Sequence, residues 1–305
     1  MIRISLIIAT YNRAEPLMET LRSVAEQSLG SESWECIVVN NNSQDNTEEL
    51  FQRFAERYPT LNLRMVCEPK QGLSYARNCG ISVAKGDIIA IIDDDERVNR
   101  EFLSAYLELF DQYGDAMSAG GRVIAEYNES PRPKWMSPYT ERPIANPMNF
   151  GKSIRLFPKG AIPAGGNMAF RRKVFERFGL FNPQLGRVGE RLIGGEESDL
   201  FERLSAAKCP CYYVPNAIMW HIIPKRKLSD EYFDSLCYNI GVSQRVRAEL
   251  SGSVTGLKLR ELLKWAASVV LAVGYLLTFR GKRARYLLRM RRQISKGIYN
   301  KRRGR

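Results

Sequence analysis

The stretch Ile88-Ile89-Ala90-Ile91-Ile92-Asp93-Asp94-Asp95 sets five apolar residues directly against three acids. A short run of this kind, rich in β-branched side chains, reads as a strand buried on both faces, as in a parallel α/β sheet. Ligands of such sheets bind beyond the carboxyl ends of the strands, which puts the three acids at a predicted ligand-binding edge. Like charges this close repel, and burial would raise their pKa values unless a cation or hydrogen-bond donors compensate. In an extended segment residues 93 and 95 point one way and 94 the other. Asp93 and Asp95 are therefore candidates to present two oxygens to one hard cation, Mg2+ or Mn2+. The plainer reading is a solvated acidic loop, or the cap of a helix near residues 99–113.

Working outward, Ile4-Ser5-Leu6-Ile7-Ile8-Ala9 and Cys36-Ile37-Val38-Val39 are further buried-strand runs, and residues 61–66 form a weaker one. Helical signals lie between them. Leu17, Leu21, Val24 and Ala25 make one apolar stripe behind Pro16. Asp45 and Glu48 have capping-box spacing ahead of Leu50, Phe51, Phe54 and Tyr58. A third helix is expected over residues 74–84, ending near Gly86. Strand–helix repetition with short turns predicts a doubly wound α/β lobe. Residues 119–163, rich in Pro, Gly and Asn, read as irregular loops of a second, mixed lobe. Helical periodicity returns at residues 171–178 and 198–207.

The 305 residues carry 46 Lys and Arg against 33 Asp and Glu, but residues 280–305 hold twelve of the basic residues and no acid. The rest of the chain is nearly neutral, which argues against a nucleic-acid groove across the body. The six cysteines lack zinc-ligand spacing and are expected to be reduced. The amino terminus shows no secretory pattern, because its apolar run is short and leads into Thr10-Tyr11-Asn12-Arg13.

Two further motifs are candidates for chemistry. Gly194-Gly195-Glu196-Glu197-Ser198-Asp199-Leu200 puts acids at the start of a helix, where one carboxylate can serve as a general base toward a hydroxyl. Gly165-Gly166-Asn167 precedes an apolar strand and suits a backbone that lines a pocket. With Ile7-Ile8-Ala9-Thr10-Tyr11-Asn12-Arg13, Val38-Val39-Asn40-Asn41-Asn42-Ser43-Gln44-Asp45, Gly72-Leu73-Ser74-Tyr75-Ala76-Arg77-Asn78 and Asp93-Asp94-Asp95, these motifs stand in the order of an inverting family 2 glycosyltransferase. The chain resembles that family over about residues 3–222.

The resemblance implies the GT-A nucleotide-diphospho-sugar transferase fold, a Rossmann-like doubly wound mixed sheet. Residues 1–225 would be catalytic, 1–98 the nucleotide-sugar half and 99–225 the acceptor half, followed by a helical, basic, membrane-associating region at 226–305. It implies that Thr10, Tyr11, Arg13, Asn40, Arg77, Asp93, Asp94, Gly166 and Asn167 bind the nucleotide-sugar, with a UDP-sugar the expected donor. Asn40 stands where the family usually has Asp; it keeps a carbonyl acceptor without the charge. Asp93 and Asp95 match the ends of the Asp-x-Asp motif that holds Mn2+ or Mg2+. His221, the only histidine, is a further metal candidate, although a lone histidine after an apolar run is more often a packing residue. Glu197 matches the catalytic base, commonly Asp in the family, and Asp199 is the alternative.

Residues 265–279 (WAASVVLAVGYLLTF) are uncharged. As a helix they reach about 22 Å, short of the ~30 Å hydrocarbon core. An in-plane anchor, a true span and a buried helix are the three readings, with Trp265 and Tyr275 as candidate interfacial anchors. The expected activity is metal-dependent inverting transfer of a sugar to a hydroxyl of a lipid-linked or polysaccharide acceptor, at the cytoplasmic face of the inner membrane. The competing functions are an inactive nucleotide-sugar-binding scaffold and a nucleic-acid-binding protein using the basic tail.

Overall fold

A computed structural model describes residues 1–188 and 194–300. They fall into two compact units. Of the described residues, the first takes 1–125, 147–184 and 196–222, and the second 126–146, 185–188, 194–195 and 223–300.

The first unit opens with β1 (Ile4–Thr10), α1 (Ala14–Ala25), β2 (Trp34–Asn40), α2 (Thr47–Arg57), β3 (Leu63–Cys67), α3 (Leu73–Val83) and β4 (Ile88–Asp93). β5 (Glu96–Val98), α4 (Phe102–Gln112) and β6 (Ser118–Glu126) follow, then α5 (Pro138–Ala145) of the second unit. β7 (Arg155–Leu156), β8 (Met168–Arg171), α6 (Lys173–Phe178), α7 (Glu196–Ala206) and β9 (Cys211–Ile222) complete the first. The strands make one sheet in the order β3-β2-β1-β4-β8-β6-β9-β5, with β7 on β9. β3, β2, β1 and β4 are parallel. β8 turns the sheet antiparallel against β4 and β6, and β5 and β7 run antiparallel to β9.

The apolar runs form strands because both faces are covered. Ile4, Leu6 and Ile8 of β1 join the core beneath α1 and α4, whereas Ile7 and Ala9 join the core beneath α3 and α7. Each such side chain is worth roughly 1.5–3 kcal/mol when fully buried. The sheet is therefore α/β and mixed, as expected.

Three local expectations change. Residues 119–126, read as loop, belong to β6 inside the sheet. Their glycines are needed for close packing: a Cβ on Gly121 would stand 2.0 Å from the Ala217 carbonyl oxygen of β9. Asp45 does not form a capping box at α2, which starts at Thr47 without a side-chain cap. Its carboxylate instead accepts from the backbone N–H groups of Thr47 and Ala14, at 3.2 and 3.1 Å, tying α1 to α2. Thirdly, Trp265 does not point outward, because its indole N–H donates to Ser295 Oγ at 2.7 Å.

The second unit is built on α8 (Asp230–Leu250), α9 (Val254–Leu277) and α10 (Gly281–Tyr299). α8 and α10 cross closely at small residues: a Cβ on Gly241 would meet the Ile294 carbonyl oxygen at 2.0 Å. Phe233, Leu236 and Cys237 of α8 and Leu287, Met290, Ile294 and Ile298 of α10 are buried. Trp135 stacks on Tyr286 with centroids 4.1 Å apart. Among the described residues no helix is long and apolar enough to cross a membrane, and all six cysteines are free thiols.

Candidate active site

Thr10, Asn40 and Asp93 end the adjacent parallel strands β1, β2 and β4, with Thr10 in register with Asn40 and Ala9 with Asp93. The chain turns immediately after Asp93 instead of continuing extended. The alternation expected to place Asp93 and Asp95 on one side therefore does not apply, and the three acids are held by two different arginines. Arg13 reaches from the start of α1 to Asp94 at 2.9 Å and Asp95 at 2.8 Å. Asp94 is buried and also accepts from Thr10 Oγ1 at 2.8 Å. Burial pushes its carboxyl up to about 7, with Arg13 opposing and Asp95 adding to the rise. Burial works against the charge on Arg13, but Asp94 and Asp95 outweigh it and hold the guanidinium charged.

Asp93 belongs to the second arginine. Arg77 of α3 is 1% exposed and lies against the ring of Phe181. Its Nη2 donates to Asp93 Oδ1 at 2.9 Å and to the Gly165 carbonyl oxygen at 3.2 Å. Its Nη1 donates to Glu196 Oε1 at 3.0 Å and to Glu197 Oε1 at 2.9 Å. One guanidinium thus joins the acid at the end of β4 to the two acids that open α7, more than a hundred residues apart in sequence. Planar, multidentate and always charged, arginine alone among side chains suits this position.

The two glutamates separate electrostatically. Burial, then the neighbouring Glu197, pushes the Glu196 carboxyl up to about 8. Its Oε2 is buried with no hydrogen-bond partner among the described residues. Burial also opposes ionisation of Glu197, but Arg77 overrides it and holds that carboxyl below the usual glutamate range.

Gly165 and Gly166 are explained by these carboxylates. A Cβ on Gly165 would stand 2.1 Å from Glu197 Oε1, and one on Gly166 would stand 2.1 Å from Glu96 Oε1. A side chain at either position would have to push the end of that glutamate aside.

The other expected residues are placed as follows. Tyr11 is half-buried in the loop after β1, which Asn12 ties to Ser43 and Gln44. Asn40 is buried and its Oδ1 accepts from the Ser43 backbone N–H at 2.9 Å. Asn167, expected to contact the donor, is fully buried. Its amide donates to the carbonyls of Arg122 and Ala217 and accepts from the Tyr106 hydroxyl, so it pins β6, β9 and α4. Asp199 is not in the cluster: it pairs with Arg203 one turn along α7 at 2.8 Å, and that arginine binds the carbonyl of Leu180. His221 sits opposite Glu96 in the β5–β9 ladder.

Three residues were missed in the sequence. Glu196 is the buried partner of Arg77. Glu96 accepts from the Asp93 backbone N–H at 3.0 Å. Asn41 donates to the carbonyls of Glu68 and Lys70 and accepts from the Gly72 N–H, holding the loop that leads into α3. Glu96 was detectable as a fourth acid continuing the Asp93-Asp94-Asp95 run; Asn41 carried no signal beyond an Asn-rich turn.

Carboxylate oxygens are the donor type that a hard divalent cation takes. Asp93 and Asp95 offer carboxylate oxygens at a strand end, and the Asp93 side chain is 37% exposed. Among the described residues no group of three or more His, Cys, Asp or Glu side chains forms that could hold a metal. Two carboxylates, with the remaining positions left to phosphates and water, is a usual arrangement for Mg2+.

Comparisons with known proteins establish the family and the fold. The chain is 29% identical over 232 residues to the succinoglycan biosynthesis protein ExoM of Rhizobium meliloti, covering 75% of this chain and 69% of that one. It is 25% identical over 213 residues to a glucosyl-dolichyl phosphate glucuronosyltransferase of Haloferax volcanii, covering 66% of this chain and 63% of that one. The chain thus spans about two thirds of the length of these relatives. The fold is shared with the mannosyltransferase PcManGT of Pyrobaculum calidifontis, solved with GDP-Man and Mn2+: TM-score 0.63, 19% identity, 98% of this chain and 88% of that one. It is also shared with S. aureus TarS solved with UDP-GlcNAc, at TM-score 0.57 and 16% identity over 98% of this chain and 93% of that one. A family model described as Glycosyl transferase family 2 matches residues 5–179, more than half of the sequence. The chain belongs to glycosyl transferase family 2 and is a glycosyltransferase of GT-A fold.

Proposed function

We propose that this enzyme transfers a sugar, with inversion, from a nucleotide-diphospho-sugar to a hydroxyl of a lipid-linked or polysaccharide acceptor, at the cytoplasmic face of the membrane. The observation that carries the reading is the bridge made by Arg77, with Asp93 on one amino group and Glu197 on the other. It puts the candidate metal ligand and the candidate base within one side chain of each other.

Asp93 and Asp95 would hold Mg2+ or Mn2+, which when bound offsets the charge developing on the diphosphate leaving group. Glu197, kept ionised by Arg77, takes the proton of the acceptor hydroxyl. The acceptor oxygen attacks the anomeric carbon from the face opposite the diphosphate, the carbon–oxygen bond to the diphosphate breaks, and the nucleoside diphosphate leaves. One such base is worth about 10²–10⁴-fold in rate. Arg77 positions Glu197 and Asp93 together. Thr10 and Arg13 fix the turn that carries Asp94 and Asp95.

The nature of the acceptor rests on relatives named for succinoglycan biosynthesis and for a dolichyl phosphate substrate. A UDP-sugar is the first donor to test, in a panel with GDP- and dTDP-sugars read by thermal stabilisation with and without Mn2+. Glu197→Gln is expected to abolish transfer and keep donor binding; full residual activity would refute the assignment. Asp95→Asn is expected to weaken Mn2+-dependent donor binding, and unchanged affinity by calorimetry would exclude that ligand.

A further inference from the structure

α9 is packed the wrong way round for water. The side it turns toward α8 and α10 carries Leu257, Glu261, Ser268 and Ala272. Its chief ties there are polar: Glu261 pairs with Arg291 at 2.9 Å and accepts from Ser295 Oγ at 2.7 Å. The side left open is aliphatic, with Leu262 66% exposed, Val270 72%, Leu277 76% and Phe279, just beyond the helix, 99%. Exposed apolar surface on this scale, continuous along one element, marks a contact face.

Charge identifies what covers it. Residues 254–305 carry fifteen Lys and Arg and one acid, the buried Glu261. Lys258, Arg260 and Lys264 are exposed at the amino-terminal end of the helix. At its carboxyl end Arg132, Lys134, Phe279, Arg280, Lys282 and Arg283 line a cavity of about 610 Å³. Arg132 is held by Glu141, and no acid lines the cavity. Two copies packed face to face through α9, in either direction, would bring cationic ends together with no acid between them. A surface that is apolar in its centre and cationic at both ends matches hydrocarbon flanked by phosphates.

We propose that the outer face of α9 lies in the plane of an anionic lipid bilayer, its Leu and Val side chains among the acyl chains, and that the basic cavity seats lipid phosphate headgroups. This deepens the membrane-face reading above and is independent of the catalytic assignment.

Deleting the region would remove α10 and the core of its unit, so exposed point variants are used in the full chain. Vesicles of phosphatidylcholine alone and of phosphatidylcholine with phosphatidylglycerol are sedimented with the protein. Wild type is expected to pellet with the anionic vesicles, and Glu197→Gln to pellet equally. Val270→Glu with Leu277→Glu should reduce the bound fraction roughly tenfold or more, as should Lys134→Gln with Lys282→Gln. All variants should keep the wild-type melting temperature, since the changed side chains are exposed. Absence of binding to anionic vesicles, or equal binding to neutral ones, would overturn the proposal. So would a lipid-free dimer, seen by light scattering, that Val270→Glu dissociates.

Discussion

The carboxylate of Glu197 occupies the space that any side chain on Gly165 would need, 2.1 Å from the position of its Cβ. The glycine is therefore part of how the base is placed. Gly165→Ala must push the end of the Glu197 side chain aside, and Arg77 can follow only by loosening its bond to Asp93 or to the Gly165 carbonyl. A misplacement near 1 Å costs about 10²-fold in rate. The expected outcome is a loss of that order in kcat with an unchanged melting temperature. A fully active Gly165→Ala enzyme would show that Glu197 is elsewhere during turnover.

Arg77 is almost completely buried and pairs with the ionised Glu197 and with Asp93. Removing one side of a buried ion pair leaves uncompensated charge and costs about 3–5 kcal/mol. Arg77→Ala is expected to destabilise by that amount in urea unfolding, more than any exposed arginine such as Arg53, whose partner Glu49 is solvated. Arg77→Lys should fall between, because an ammonium cannot serve Asp93, Glu196 and Glu197 together. Equal loss from Arg77→Ala and Arg53→Ala would contradict the hub.

How much of this was legible depended on the kind of signal. β1, β2 and β4 were visible because burial on both faces leaves unbroken apolar runs, Asp93 because an acid at the end of such a run stands out, and Glu197 because acids follow a glycine pair at the start of a helix. β6 was hidden because Gly120 and Gly121, which weaken strand signals, are required there by Pro163 and Ala217 lying against the backbone. Pairings such as Arg77 with Glu196, or Asp45 with Ala14, join residues far apart in sequence and follow only from the strand order. The partition of Glu197 into the cluster and Asp199 out of it follows from helix geometry: two residues along α7 is more than half a turn.

Glu196 gives the enzyme a pH-dependent stability. Its folded pKa is raised to about 8 from an ordinary 4.5, so between those values the folded state holds a proton that the unfolded state releases. Its contribution is intact at low pH and is lost as pH rises through that window. Glu196→Gln keeps the shape without the proton to lose. The variant is expected to gain melting temperature relative to wild type at pH 8 and to show little difference at pH 5. A difference between the two proteins that does not change with pH would rule out this account of Glu196.

Asn167 offers a choice between two roles that kinetics and stability separate. A donor contact would make Asn167→Ala raise KM and leave unfolding unchanged. Its observed bonds predict the reverse. The side chain is inaccessible, and its amide joins the Arg122 and Ala217 carbonyls at 3.0 and 3.2 Å, where β6 and β9 lie side by side. Truncation leaves those carbonyls and the Tyr106 hydroxyl unsatisfied, at about 1–3 kcal/mol for each buried group left without a partner. Asn167→Ala should therefore lower stability by at least 2 kcal/mol on that scale. Tyr106→Phe, which removes a single bond to the same amide, should cost about 1 kcal/mol. Because both act through one side chain, the double variant should lose less than the sum of the two. Additive losses, or a pure KM effect in Asn167→Ala, would return Asn167 to the donor site.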